Sequence, residues 1–209
     1  MRNDLLAQIV IASGGTVTNK DDRNALLSDW LAAVESPQIE VARLDGATQY
    51  WQLSEEISVP SGGSIELDLM YDSANQSEIE YVLTSELNSD TSLFFTSKEA
   101  LRAGSSGYIS DVLVDGVSAV TLPYDDTFHT IKCIISGDLA SVGILGARFN
   151  YTRNSSGVIK SFRVRDDSGL VINEIPLTNK AQGATQLATV GSVNATMINY
   201  TGDEWEPLP

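Results

Sequence analysis

Glu66 and Asp68 stand at alternate positions of the run Ser64–Tyr71, SIELDLMY, and are the first residues whose types and spacing suggest chemistry. A strand places alternate side chains on one face, so the two carboxylates share a surface. Paired carboxylates carry out glycoside hydrolysis, one as acid and one as base or nucleophile. Met70 takes the next position on that face, and a thioether cannot donate the proton a leaving sugar needs. His129 is the only histidine, so any Ser-His-Asp arrangement must use it. It lies within Phe128-His129-Thr130-Ile131, where a packing or hydrogen-bonding role is the expectation. Asp125 and Asp126 precede it and are weak candidates for holding Ca²⁺ with loop carbonyls, though adjacent acids before a strand are common turn chemistry. Cys133 is the only cysteine, which excludes an intrachain disulfide and sites built on several thiolates. No phosphate-binding loop, dinucleotide fingerprint or metalloprotease helix is present. The expectation is therefore no catalytic set, no metal and no cofactor.

Binding residues are the next possibility. Trp51 and Trp205 could stack on sugars, although a tryptophan in a β protein more often packs in the core. The aromatic and Asn-rich stretch around Asn150, Tyr151 and Asn154 is the place to look for a ligand, with Trp51 as a further candidate. Against polyanions the composition is plain: the chain of 209 residues carries a net charge of -15. From Glu40 to Glu99 the only basic residues are Arg43 and Lys98. Such a surface repels phosphate, so nucleic acid is an unsuitable partner.

The elements that must position these groups fall into two kinds. In residues 1–36, Leu5, Leu6, Ile9, Val10 and Ala12 fall on one side of a short helix that Ser13-Gly14-Gly15 stops. Thr18 with Asp21 resembles a capping box opening a second helix, whose apolar stripe is Leu26, Leu27, Trp30, Leu31 and Val34. Two helices this short cannot support each other alone and must dock on something. Leu5, Leu6, Ile9, Leu27, Trp30, Leu31 and Val34 are thus candidates for attachment or oligomerisation. The N-terminal apolar run is interrupted by Asp4 and Gln8 and is too short to span a bilayer, so neither a signal peptide nor membrane insertion is expected.

From residue 37 to 209 the helical period gives way to short alternating runs separated by Gly, Asn, Asp and Ser turns. Strands are expected at Ile39–Leu44, Tyr50–Leu53 followed by Ile57–Pro60, Ser64–Tyr71, Ile79–Leu83, Ser92–Thr96, Tyr108–Val114, Val117–Leu122, Phe128–Ile135, Ile144–Phe149, Leu187–Val190 and Thr196–Tyr200. Lys98–Ala103 reads as a brief helical turn. Gly157–Leu177 reads as a hairpin: Phe162 and Val164 alternate with Arg163 and Arg165 up to the Asp166–Gly169 reversal. Ile159 is out of phase with Phe162, which requires a bulge or burial on both faces. The class is mainly β, an antiparallel sandwich or barrel behind a short N-terminal helical segment.

Three patterns, in order, resemble the concanavalin A-like, laminin G-like jelly roll. Tyr50-Trp51-Gln52-Leu53 followed by Ser61–Tyr71 is similar to that family's opening. Val114-Asp115-Gly116 ahead of Thr127-Phe128-His129-Thr130-Ile131 resembles its Trp-His-x-apolar strand, with Phe128 in the tryptophan position. The Gly157–Leu177 hairpin resembles its unit near the C-terminus. The resemblance covers about residues 40–205 and implies an antiparallel jelly-roll β-sandwich. Retaining glucanases of that fold carry Glu-x-Asp-x-Glu, and Met70 replaces the second glutamate here. A helical module before such a sandwich, with Asn199-Tyr200-Thr201-Gly202-Asp203-Glu204-Trp205 near its end, resembles small structural proteins of tailed bacteriophages. That second resemblance implies a non-enzymatic virion protein (tail fibre, adhesin or capsid decoration) with other virion proteins and itself as partners. It also implies a homo-oligomer such as a trimer, and host-cell glycan as a ligand for the sandwich. The rival reading is a carbohydrate-active enzyme or free lectin domain.

Overall fold

The computed structural model describes residues 2–12, 16–19, 22–34, 39–75, 79–84, 92–97, 100–103, 108–137, 140–147 and 154–208. The chain divides into two compact units, Met1–Ile39 with Pro207–Pro209, and Glu40–Glu206.

The first unit holds α1 (Arg2–Ala12) and α2 (Arg23–Val34), which pack on each other. The cap of α2 is Asp22, not the pair Thr18 and Asp21. Its Oδ1 accepts the backbone N–H of Asn24 at 2.8 Å and of Ala25 at 3.3 Å, two of the donors a helix start leaves without partners. Of the expected pair, Asp21 is outside the described residues. Val10 and Leu26 are buried, while Leu5 is 60% and Ile11 64% exposed. Apolar residues thus ring α1 instead of forming one stripe.

The second unit is built of strands. In chain order they begin with β1 (Glu40–Asp45), β2 (Tyr50–Val59), β3 (Ser64–Met70), β4 (Ile79–Thr84) and β5 (Ser92–Ser97). Next come β6 (Ala100–Ala103), β7 (Ile109–Val114), β8 (Val117–Ser118), β9 (His129–Ile135) and β10 (Ala140–Leu145). The last are β11 (Ser156–Arg165), β12 (Val171–Pro176), β13 (Thr185–Gln186), β14 (Ala195–Ile198) and β15 (Trp205–Pro207). They form two sheets. One runs β15-β1-β11-β3-β9-β7-β8, with β12 also beside β11; the other runs β13-β14-β2-β10-β4-β5-β6. The registered pairs are antiparallel. Two separate sheets with one core between them make a β-sandwich, not a barrel.

Alternation explains the layers. Ile65, Leu67 and Leu69 of β3, Ile131 and Cys133 of β9, and Phe162 and Val164 of β11 point inward. They share a core with Trp51, Leu53, Val82, Val142 and Leu145 of the other sheet. Each fully buried aliphatic or aromatic side chain contributes roughly 1.5–3 kcal/mol. Met70 departs from the expected outward position and is buried too.

The hairpin of β11 and β12 forms as the alternation requires, with Phe162 opposite Ile175 and Arg163 opposite Glu174. Asp166 Oδ1 organises the reversal by accepting the N–H of Ser168 and of Leu170, both at 2.9 Å. The phase break at Ile159 is a bulge. Ile159 pairs with Leu69 and Ser161 with Asp68, so Lys160 is the extra residue and both Ile159 and Phe162 reach the core.

Four expected elements differ. The strand expected at Ile144–Phe149 runs instead over Ala140–Leu145, with Phe149 outside the described residues. Ala100–Ala103 is a strand paired with β5, from Ser97↔Ala100 to Phe94↔Ala103, which satisfies its backbone in a ladder; Lys98 and Glu99 lie outside the described residues. Of Val117–Leu122 only Val117 and Ser118 form strand, since the segment turns away toward Pro123, which has no N–H to donate. Leu187–Val190 makes a single bridge, Glu174↔Val190. There the side chains of Gln182 and Asn194 take the N–H groups of Leu187 and Ala188, displacing a ladder.

Candidate functional site

The outer face of the eight-stranded sheet carries the acids of β3. Glu66 Oε1 meets Arg165 Nε at 3.0 Å and Lys132 Nζ at 3.2 Å, and Oε2 meets Arg163 Nη1 at 3.2 Å. Its side chain is 13% exposed. Burial alone would raise its pKa, but Arg165, Lys132 and Arg163 together hold it below the usual carboxylate range. Arg163 also pairs with Glu174. Asp68 accepts Thr130 Oγ1 and Ser161 Oγ, each at 2.8 Å.

His129 opens β9 and joins two loops. Its Nδ1 lies 2.7 Å from Asp115 Oδ2, on the turn between β7 and β8. Its Nε2 lies 3.1 Å from Thr127 Oγ1 and 3.2 Å from Asp125 Oδ1. Thr127, His129 and Asp115 therefore stand in the order of a nucleophile, base and orienting acid. Asp125 spoils that use, because Thr127 Oγ1 already donates to Asp125 Oδ1 at 2.7 Å. Burial disfavours the charged ring, yet the hydrogen bonds to Asp115 and Asp125 outweigh it and raise the pKa above 6.5. Asp115 and Thr127 were not singled out as partners from the sequence, where Asp115-Gly116 registers only as a turn. Asp115 adopts φ 51, a left-handed conformation that Asp tolerates better than most residues.

The other candidates separate. Trp51 is fully buried in the core between the sheets, and Asn154 is buried with its Nδ2 donating to Ala47 O at 2.9 Å. Trp51 is corrected to a core residue enclosed between the sheets, and Asn154 to a buried residue whose amide holds the Ala47 carbonyl, so neither side chain is presented at the surface. Asn150 and Tyr151 lie outside the described residues. Trp205 is buried and donates its Nε1–H to Tyr200 Oη at 2.9 Å. Asp125 and Asp126 turn to different partners, Asp126 accepting Ser73 N–H at 2.9 Å and Ser73 Oγ at 2.7 Å. Among the described residues no group of three or more His, Cys, Asp or Glu gathers as metal ligands. Burial pushes the Cys133 thiol up to about 12, which leaves it unreactive at neutral pH. Of the attachment candidates Leu5 and Ile9 are exposed, while Leu6, Leu27 and Trp30 are half-buried. The side chains of Leu31 and Val34 are outside the described residues.

An open cleft of about 330 Å³ lies beside β1 and the turn before β15, lined in part by Arg43, Leu44, Asp45, Gln49, Glu204 and Glu206. Arg43, Asp45, Glu204 and Glu206 are held by internal partners. Arg43 Nε meets Glu206 Oε1 at 2.9 Å and its Nη1 pairs with Asp72. Asp45 Oδ1 accepts the N–H of Ala47, Thr48 and Gln49. Glu204 Oε1 accepts Gln49 Nε2 at 2.6 Å. Comparison with protein-family models, with curated proteins and with solved structures found no match in any of the three.

Proposed function

We propose that this protein is a non-enzymatic structural and binding component of a bacteriophage virion, a tail-fibre, adhesin or decoration module. Its N-terminal helices anchor or oligomerise it, and its concanavalin A-like sandwich presents loops that bind a cell-surface glycan or decorate the particle. The observation that carries the non-enzymatic part is the commitment of the acids on β3. Glu66 is held by three cations, Asp68 by two hydroxyls, and Met70 is buried where a second glutamate would act. Support for the attachment part comes from Leu5, Ile9 and Ile11, large apolar side chains left exposed on α1. The virion assignment itself rests on the sequence resemblance.

Light scattering on the full chain tests the helices. An oligomer in the wild type that becomes a monomer in the double variant Leu5→Asp with Ile9→Asp is expected, and a wild-type monomer would remove self-association from the proposal. A glycan array run beside a reducing-sugar assay tests the sandwich. Turnover of any polysaccharide would replace this reading with the carbohydrate-active enzyme.

A further inference from the structure

The ring of the single histidine is asked to make more hydrogen bonds than a neutral imidazole can. Nδ1 faces Asp115 Oδ2 at 2.7 Å, and Nε2 faces both oxygens of Asp125, at 3.2 and 3.3 Å. Neutral imidazole carries one N–H; only the imidazolium donates from both nitrogens. Thr127 Oγ1 lies 3.1 Å from Nε2 and 2.7 Å from Asp125 Oδ1, and while its single hydrogen stays with the nearer Asp125 oxygen it leaves Nε2 without a donor. With a neutral ring, one nitrogen lone pair would point at a carboxylate.

We propose that His129 is a pH-operated latch: protonated, it ties the Asp115 turn to the Asp125–Thr127 segment, and on losing its proton it releases that segment. The proposal stands apart from the virion reading and holds or fails without it. The side that gives way follows from the bonds. Asp115 lies closer to the ring and is also held by the Thr130 N–H at 2.9 Å, so the neutral ring keeps its hydrogen on Nδ1 toward Asp115. Nε2 then faces Asp125 without a proton, and Asp125 withdraws. The release stays local, because Leu122 and Tyr124 are buried and Tyr124 stacks on Tyr71 with ring centroids 4.8 Å apart.

The neighbouring charges look elsewhere. Asp126 is taken by Ser73, and Asp68 of β3 by Thr130 Oγ1 and Ser161 Oγ. Asp111 of β7 accepts Val112 N–H and Ser118 Oγ. Lys160 of β11 sits over the Phe128 ring at 5.4 Å, and the residue of β3 opposite His129 is Leu69. Among the described residues, then, Asp115 and Asp125 are the charges on the ring. Burial works against its charge, and these two carboxylates overcome it, raising the pKa above the ordinary 6.5. A folded-state pKa above the unfolded one stabilises fully below about pH 6.5 and ceases to do so as pH rises through the folded value. The latch is closed in mild acid and opens toward alkaline pH.

One histidine gives one set of imidazole resonances, so an NMR titration of the full chain reads this ring alone. The expected midpoint lies above 6.5 in the wild type and falls toward 6.5 in Asp125→Asn. Hydrogen exchange corrected for its intrinsic pH dependence supplies the second readout. Protection over Val120–Phe128 drops several-fold across the wild-type midpoint and not in Asp125→Asn, while the β11–β12 hairpin keeps its protection in both and certifies that the variant is folded. A midpoint at or below 6.5, an unmoved midpoint in Asp125→Asn, or equal protection of Val120–Phe128 on both sides of the titration would overturn the latch.

Discussion

Glu66 and Arg163 occupy directly opposed positions in the register of β3 and β11, and their side chains meet at 3.2 Å on the outer face of the sheet. The contact is one corner of a larger group, since Lys132 is opposite Glu66 on β9 and Arg165 reaches it from further along β11. Cross-strand charge pairs are usually worth a few tenths of a kcal/mol to 1 kcal/mol. Here one carboxylate answers three cations, so its removal also leaves like charges adjacent. Glu66→Gln is expected to lower stability by about 1–2 kcal/mol, less than a buried pair would cost because the cations remain about a third exposed. Urea unfolding at pH 7 checks this, and the midpoint should shift with an unchanged slope.

Gly157 begins the body of β11 at φ +114, and a Cβ there would stand 2.2 Å from the backbone oxygen of Met70. A carbonyl in a ladder cannot move aside as a flexible side chain can. Gly157→Ala is therefore expected to cost about 3 kcal/mol or more, from backbone strain and overpacking together. Gly169 is the control. It has φ +84 but open space around it, so Gly169→Ala should cost only about 1 kcal/mol. Thermal melts of the two variants should rank them in that order.

The difference between these glycines is a fair measure of what the sequence could reveal. Gly169 belongs to a turn announced by Asp166 and Ser168 three residues away or nearer, whereas Gly157 is constrained by Met70, distant in sequence. The same division runs through the chain. Alternation in Ile65–Leu69 and Phe162–Val164 is local, and the sandwich was legible from it. The clash of phase between Ile159 and Phe162 was local too, and it located the bulge. Arg43 with Glu206, or His129 with Asp115, depends on which loops the winding brings together, and one sequence carries no signal of that. Short elements were misread for a related reason. Four residues such as Ala100–Ala103 cannot distinguish a period of 2 from 3.6, so their partner decides the structure. Trp51 and Asn154 were read as ligand contacts because residue type hints at binding but says nothing about enclosure.

Lys160, the extra residue of the bulge, offers a sharper test of register. Because Ile159 pairs with Leu69 and Ser161 with Asp68, removing Lys160 would restore regular pairing and leave Ile159, Phe162 and Val164 on the core face. The Lys160 carbonyl, which accepts the Leu177 N–H at 3.0 Å, would be lost. Deletion of Lys160 should therefore give a folded protein with a melting temperature lower by a few degrees, about 1 kcal/mol for that bond. Deletion of Val164 removes a fully buried side chain and brings Arg165 to its place on the core face, and it should abolish cooperative unfolding. Circular dichroism melts distinguish the two; a deletion of Lys160 as damaging as that of Val164 would show that the bulge itself is required.

Glu204 sets the acid limb of the stability profile, opposite in sign to His129. Burial would raise its pKa, but the N–H groups and hydroxyl around it, those of Thr201 foremost, hold it below the ordinary 4.5. Its Oε1 accepts Thr201 N–H at 2.7 Å and Thr201 Oγ1 at 2.9 Å, and its Oε2 accepts Gly202 N–H at 2.8 Å. A folded pKa below the unfolded one stabilises fully above about pH 4.5 and is lost as pH falls through the folded value. Glu66 and Asp45 shift the same way, so unfolding midpoints should fall progressively as the pH drops through and below the ordinary carboxylate range. Glu204→Gln removes one acceptor oxygen and turns an amide N–H₂ toward either Gly202 or Thr201, at a cost of about 1–2 kcal/mol at pH 7. Protonation imposes the same loss on the wild type, so the gap between the two proteins should close as the pH approaches 3. A gap that persists undiminished in acid would mean that Glu204 acts through its shape and not through its charge.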